Sequence, residues 1–226
     1  MTVVVHSGEV WCIGYERSAI HFQNELRGSH LGRNGFLTVP GVYPENQMEL
    51  VYSADDGKVL FDFKFAEDTE LSGYMKLRMW VEARPENAGE ASPDDMALFI
   101  AVNKLDQDGN SVHFNGSVGI SEDMVTRGWC RVSRRELDLV ESTEWHPVQK
   151  GASEQKLKAG EIVSVDIELY PSSTFFAAGE TLQLIVAPDE IISSPPYKKS
   201  AECNHGRHVL HYGGKYDSFL LVPVIP

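Results

Sequence analysis

The feature of this sequence that most constrains its fold is a recurring alternation of apolar and polar residues. Residues 59–65 (VLFDFKF), 163–169 (VSVDIEL) and 181–186 (TLQLIV) all follow this pattern. A period of two is typical of a β-strand that buries one face. Residues 77–82 (LRMWVE) repeat it, although Trp80 places an aromatic side chain on the polar face. No long amphipathic helical pattern occurs, so the sequence predicts an all-β fold.

The order of the strand-like segments indicates how they are arranged. Residues 96–105 (MALFIAVNKL) are almost continuously apolar, which predicts a central strand covered on both sides. A glycine-containing turn follows and indicates a hairpin. Eight or more such segments without βαβ alternation predict an antiparallel jelly-roll β-sandwich. We expect residues 46–226 to form this domain, and residues 1–45 to form an N-terminal arm that packs on it.

Charge and cysteine content exclude several classes of protein. The 226 residues carry a formal net charge of −13, which repels phosphate backbones and anionic lipids. We therefore expect neither a nucleic-acid partner nor a membrane partner. The first residues lack the basic and apolar regions of a secretory signal. Three widely spaced cysteines do not form a disulfide framework, and they predict a reducing, cytoplasmic location.

Several longer segments carry a resemblance to a known family. In order along the chain they are EDTELSGYMKLRMWVEA (67–83), DDMALFIAVNKLDQDG (94–109), GWCRVSRRELD (128–138), residues 157–186, and GRHVLHYGGKYDSFLLVPVIP (206–226). From near Val51 to its end the chain resembles the C-terminal domain of CocE/NonD-type serine hydrolases, the cocaine-esterase and X-prolyl dipeptidyl-peptidase group. The resemblance implies a galactose-binding-like jelly roll. It departs from the family at Arg134, where relatives commonly have a histidine.

The catalytic serine of such hydrolases has no counterpart here. An α/β-hydrolase places its serine in a G-x-S-x-G turn, and the sequence contains no such pentapeptide. The resemblance implies that the serine, aspartate and histidine of the triad belong to a separate domain. The sequence therefore leaves open whether this chain is an enzyme.

The C-terminal region invites a metal hypothesis. Cys203, His205, His208 and His211 are residue types that bind zinc. On a strand, however, His208 and His211 point to opposite faces because their separation is odd. Asp106, Asp108 and Asn110 resemble the start of a calcium loop, but the glycine and the glutamate at the loop's sixth and twelfth positions are absent, so turn chemistry explains them better. We predict no metal and no cofactor.

Four titratable residues are candidates for acid–base chemistry if the sandwich contains a reactive pocket. They are His113, His208, His211 and Asp217. Histidine is the side chain whose pKa is most easily adjusted near neutral pH.

A second set of residues is suited to ligand binding. Trp80, Trp129, Tyr212 and Tyr216 would line a concave face, as aromatic side chains do in many small-molecule sites. Arg131 beside Trp129 would hold a carboxylate. The alternative is that these aromatic residues belong to the core or its rim, and that the arginine pairs with surface acids.

Three functions remain open. The first is a stand-alone or truncated domain of a CocE/NonD hydrolase without a triad, which binds a small-molecule ligand, a hydrolase partner or further copies of itself. The second is a recruited enzyme that uses a pocket of the sandwich for a shape-controlled cyclisation or isomerisation in small-molecule biosynthesis. The third is a fragment whose parent hydrolase carries the activity. Fold alone does not decide between them.

Overall fold

A computed structural model describes residues 46–116, 121–191 and 201–225 in full, together with the backbone of four strands among the first 45 residues. The described elements are β-strands and one short 3-10 turn, Val132–Arg134. The strands are β1 (Val4–His6), β2 (Glu9–Trp11), β3 (Glu16–Gln23), β4 (Arg33–Thr38), β5 (Met48–Ser53), β6 (Val59–Lys64), β7 (Thr69–Arg84), β8 (Ala97–Leu105), β9 (Ser111–Val112), β10 (Thr126–Arg131), β11 (Val163–Phe176), β12 (Thr181–Ala187), β13 (Arg207–Tyr212) and β14 (Phe219–Ile225). Within the described part of the chain, no helix is long and apolar enough to cross a membrane.

The alternating segments form strands where the sequence predicts them. β7 is the longest, and its residues Leu77, Met79 and Val81 are buried while Arg78 and Trp80 on its other face are partly exposed. This is the expected result when one face of a strand packs against an apolar core.

The near-continuous apolar segment forms β8, which pairs with β10 on one side and β12 on the other. Ile100 and Ala101 point to opposite faces of this strand, and both are buried. The predicted central strand is therefore confirmed.

The strands form two layers that enclose one core. β10, β8, β12 and β6 are consecutive in one layer, and β5, β13, β7 and β11 are consecutive in the other. Of the pairs described, all are antiparallel except that of β4 with β6. The core contains side chains from both layers, among them Phe61, Leu71, Met75, Leu98, Ile100, Ile167, Leu184 and Leu210. The predicted all-β antiparallel sandwich is confirmed; the arm formed by residues 1–45 stays a prediction.

Two of the edge strands, β10 and β11, cross closely. A Cβ atom at Gly128 would overlap with the backbone carbonyl oxygen of Glu168, so only glycine permits this approach. Beside it, the Thr126 hydroxyl donates a hydrogen bond to the Tyr170 carbonyl oxygen at 2.5 Å. These contacts hold the two layers together along one side of the sandwich.

The β8–β9 turn confirms the predicted hairpin, and a second turn joins β13 to β14. In the β8–β9 hairpin, the Asp106 carboxylate accepts hydrogen bonds from the backbone N–H groups of Asp108 and Asn110, at 3.0 and 2.8 Å. An aspartate side chain that bonds backbone N–H groups two and four residues later is typical of a turn. In the β13–β14 turn, Gly213 and Gly214 have φ angles of 75° and 56°, a left-handed conformation that favours glycine.

Candidate functional site

The outer face of the second layer brings several of the predicted residues together. Trp80 on β7 lies directly opposite His211 on β13, and His211 lies opposite Glu49 on the edge strand β5. Residues directly opposite each other in an antiparallel pair share a face of the sheet. The β13–β14 turn then folds Tyr216 and Asp217 back over this face. We call Trp80, Glu82, Arg84, His211 and Asp217 the polar network.

One half of the network is centred on Asp217. Its carboxylate accepts a hydrogen bond from Trp80 Nε1 at 2.7 Å and a longer one from Arg78 Nη1 at 3.4 Å. Arg78 is itself held by a bidentate ion pair with Asp166, in which both distances are 2.8 Å. These bonds explain why a tryptophan occupies the polar face of β7: its ring N–H has a charged acceptor there.

The other half is centred on Glu82, which is buried. It accepts hydrogen bonds from Arg84 at 2.7 and 3.0 Å and from His211 Nε2 at 3.0 Å. Arg84 also forms a bidentate pair with Glu49. Burial raises the pKa of Glu82, but the bonds from Arg84 and His211 outweigh it, so its pKa lies below the ordinary value. Burial lowers the pKa of His211, against the opposing effect of Glu82. His211 is therefore neutral at pH 7 and donates its Nε2 proton to ionised Glu82.

Ser218 and Tyr216 join the two halves. The Ser218 hydroxyl donates to the backbone carbonyl oxygen of His211 at 2.8 Å and accepts from the Trp80 backbone N–H at 3.1 Å. The Tyr216 ring packs against His211 and Trp80, with centroid distances of 5.1 and 5.5 Å. Because the Ser218 hydroxyl is bonded to the backbone and not to the imidazole, it is not activated as a nucleophile.

His208 has a different environment. It lies on the inner face of β13, is completely buried, and its Nδ1 atom is 3.0 Å from the Tyr52 hydroxyl. Burial lowers its pKa to about 3, so it is neutral at physiological pH. In the described part of the chain, no group hydrogen-bonds its Nε2 atom. His208 and His211 thus point to opposite faces, as their odd spacing predicts.

The other predicted residues lie apart from the network. His113 follows β9 in the opposite layer and is exposed, and Tyr212 is buried in the core. Trp129 lies on β10, far along the sheet order from β13. Arg131 donates its Nε proton to the buried carboxylate of Asp95 at 2.7 Å. Arg131 is thus paired with an acid of the chain itself.

An open groove of about 650 Å³ lies beside the network at the edge strand β5. Arg84 of the network and its partner Glu49 form part of its wall, and Arg207 paired with Glu86 at 3.1 Å forms another part. The charged groups of the groove are therefore largely paired with one another. Among the described residues, no three histidine, cysteine or carboxylate side chains are close enough to hold a metal ion.

Sequence reasoning missed three residues that organise the network: Arg78, Glu82 and Asp166. Arg78 and Glu82 were recognised only as the polar positions of an alternating strand. Their role depends on partners 88 and 129 residues away in sequence. The one available signal was Trp80 itself, since a tryptophan on a polar face can donate its ring N–H group to a charged neighbour.

Known proteins resemble this chain in sequence and in fold. Residues 44–221 match the X-Pro dipeptidyl-peptidase C-terminal non-catalytic domain. No curated protein matches the sequence. An aminopeptidase from a marine sediment Thaumarchaeota archaeon is similar in fold alone, with a TM-score of 0.60 at 12% identity over 93% of this chain and 37% of its own.

A CocE/NonD family hydrolase from Staphylococcus aureus is much more similar. Its structure superimposes with a TM-score of 0.81 at 34% identity, and the match covers 94% of this chain. The chain spans only 37% of the length of that hydrolase. The chain therefore belongs to the X-Pro dipeptidyl-peptidase C-terminal non-catalytic domain family, the C-terminal domain of CocE/NonD-type hydrolases.

Proposed function

We propose that this chain is an accessory β-sandwich that acts by docking on the catalytic part of a CocE/NonD-type hydrolase and has no turnover of its own. The observation that carries this proposal is that the candidate side chains are hydrogen-bonded to other residues of the sandwich. His211 is bonded to Glu82, Asp217 to Trp80 and Arg78, and His208 to Tyr52. These side chains act as positioning groups within the sandwich, and none is poised beside a nucleophile.

The similarity to the S. aureus hydrolase supports the choice of partner. This chain spans 37% of that hydrolase, so almost two thirds of the hydrolase has no counterpart in this chain. A domain that is accessory in its relatives needs a surface for the remainder of the enzyme, and docking of this kind requires no catalytic group. A cytoplasmic location and a galactose-binding-like form of the jelly roll are part of the same proposal.

The test combines the intact chain with the catalytic part of the relative. A chimera is made in which this chain replaces the matching 37% of the S. aureus hydrolase. The free chain is expected to show no hydrolysis of p-nitrophenyl esters and no labelling by a fluorophosphonate probe, whereas the chimera is expected to show both. Labelling of the free chain, or a chimera that is soluble but inactive, would contradict the proposal.

A second candidate is a recruited enzyme that catalyses a cyclisation or isomerisation. What favours it is that Trp80, Tyr216 and Asp217 converge on one face, where the Asp217 side chain remains 47% exposed. Replacement of His208, His211 and Asp217 tests this candidate. A reaction that continues unchanged in all three variants does not use these groups.

A further inference from the structure

The most exposed aromatic pair in the described part of the chain lies outside the polar network. Trp129 on β10 and Tyr170 on β11 are 49% and 47% exposed, and their rings meet edge to face with centroids 5.6 Å apart. We call this pair the aromatic seam. A small depression adjoins Trp129, and its wall includes the apolar Phe99 and Met124 and the charged Arg127 and Glu190.

The seam is held rigidly from beneath. Gly128 packs against the backbone of Glu168, and the Thr126 hydroxyl bonds the backbone of Tyr170. Both rings therefore project from strands whose relative position is set by backbone contacts, Tyr170 from the register shift of β11 between Leu169 and Ser172. Rigid tryptophan and tyrosine side chains lose little conformational entropy on binding, and such residues often dominate the energy of protein interfaces.

The position of the seam also suits docking. β10 and β11 are edge strands in the described pairings, each joined to one main neighbour, β8 and β7 respectively. The free edge of β11 is not open for strand addition, because the Asp166 carbonyl oxygen accepts a bond from the Gln149 side chain and the Tyr170 carbonyl oxygen from Thr126. A partner would therefore contact side chains here and not extend the sheet.

A second copy of this chain is a less suitable occupant than a hydrolase. Each copy carries a formal net charge of −13, so two copies repel each other. In the S. aureus hydrolase, the region that matches this chain is only 37% of the polypeptide, so the remaining residues belong to the same chain. A tethered partner occupies a docking surface at high effective concentration, so a compact aromatic surface is sufficient.

We propose that the aromatic seam is the surface by which this sandwich contacts the catalytic part of a CocE/NonD-type hydrolase; this rests on the function proposed above. Trp129 and Tyr170 would become buried in the docked state.

Hydroxyl-radical footprinting of the free chain and of the chimera with the S. aureus hydrolase tests this without any substitution. Oxidation of Trp129 and Tyr170 is expected to slow by about threefold or more in the chimera, because docking removes both rings from solvent. Leu139 and Val140, which are 86% and 89% exposed at a loop tip, serve as an internal control and should react equally in both proteins.

Matched variants of the chimera complete the test. Trp129→Glu with Tyr170→Glu should lower esterase activity by about tenfold or more, whereas Leu139→Glu with Val140→Glu should leave it unchanged. Circular dichroism of the same variants as free chains shows whether each sandwich folds.

An active chimera in which the seam remains fully oxidised overturns this inference but leaves the proposed function intact. An inactive chimera overturns the proposed function itself. Protection of the seam in concentrated free chain, lost on dilution, would assign it to a second copy and also overturn the inference.

Discussion

The two tryptophans on the outer faces of the sandwich differ in what surrounds them. Trp80 donates to Asp217 and packs on Tyr216 within a set of ion pairs, whereas Trp129 is half exposed and contacts Tyr170 at the junction of two edge strands. Both occupy β-strand positions with similar local sequence character, and both were predicted as parts of one ligand site. The difference shows that an aromatic residue on an outer face can be enclosed by the ion pairs of its own sheet or remain half exposed, and that its burial distinguishes the two cases.

The largest expected effect is on the free energy of unfolding, and it compares a carboxylate of the polar network with a carboxylate at the surface. Glu82→Ala should lower the free energy of unfolding by about 2–3 kcal/mol, because it leaves His211 and Arg84 without their shared carboxylate. The matched control is Glu86→Ala, whose carboxylate pairs with Arg207 at the surface and should cost less than about 0.5 kcal/mol. Urea unfolding followed by circular dichroism measures both, and equal effects would show that the network is not a structural unit.

Acid should lower the free energy of unfolding through the two histidines of β13. Burial lowers the pKa of His208 to about 3, whereas in the unfolded chain the imidazole takes up a proton near pH 6.5. The unfolded state therefore binds more protons below pH 6.5, and stability is lost as the pH falls from about 6.5 toward 3, by at most roughly 1.4 kcal/mol per pH unit for this group. The lowered pKa of His211 acts in the same direction.

His208→Phe provides the comparison for this pH dependence. The variant keeps a ring beside Tyr52 but cannot titrate, so its unfolding free energy should be lower at pH 7 and change less between pH 7 and 5 than that of the native protein. Urea titrations at both pH values give the two slopes. Identical slopes would mean that His208 does not control the acid sensitivity.

The smallest expected effect contrasts the two tryptophans directly. Trp80→Phe removes the N–H donor to Asp217 and should cost about 1 kcal/mol. Trp129→Phe keeps an aromatic ring at the seam and should change the free energy of unfolding by less than about 0.5 kcal/mol. If Trp129→Phe proves the more destabilising substitution, the seam is part of the fold rather than a surface for a partner.

The strands and the family were predictable, but the environment of each candidate residue was not. Alternation in residues 59–65 and 163–169 identifies strands because burying one face of a sheet is a local requirement with a period of two. The pairing of Glu82 with His211, or of Arg78 with Asp166, follows from which strands become neighbours, and such neighbours are remote in sequence. The predicted acid–base set thus divides into His208 in the core, His211 and Asp217 in the network, and His113 in the other layer.

By itself, the sequence determined that this chain forms an antiparallel sandwich and that it carries no serine elbow, because both depend on short patterns of residues. Only the tertiary structure decided that Trp80 donates a hydrogen bond to Asp217 and that Arg131 forms an ion pair with Asp95. It also decided that the rings of Trp129 and Tyr170 pack together at an exposed junction. The physical reason is that hydrogen bonds and burial depend on distances across layers, and strand order sets those distances while local alternation does not.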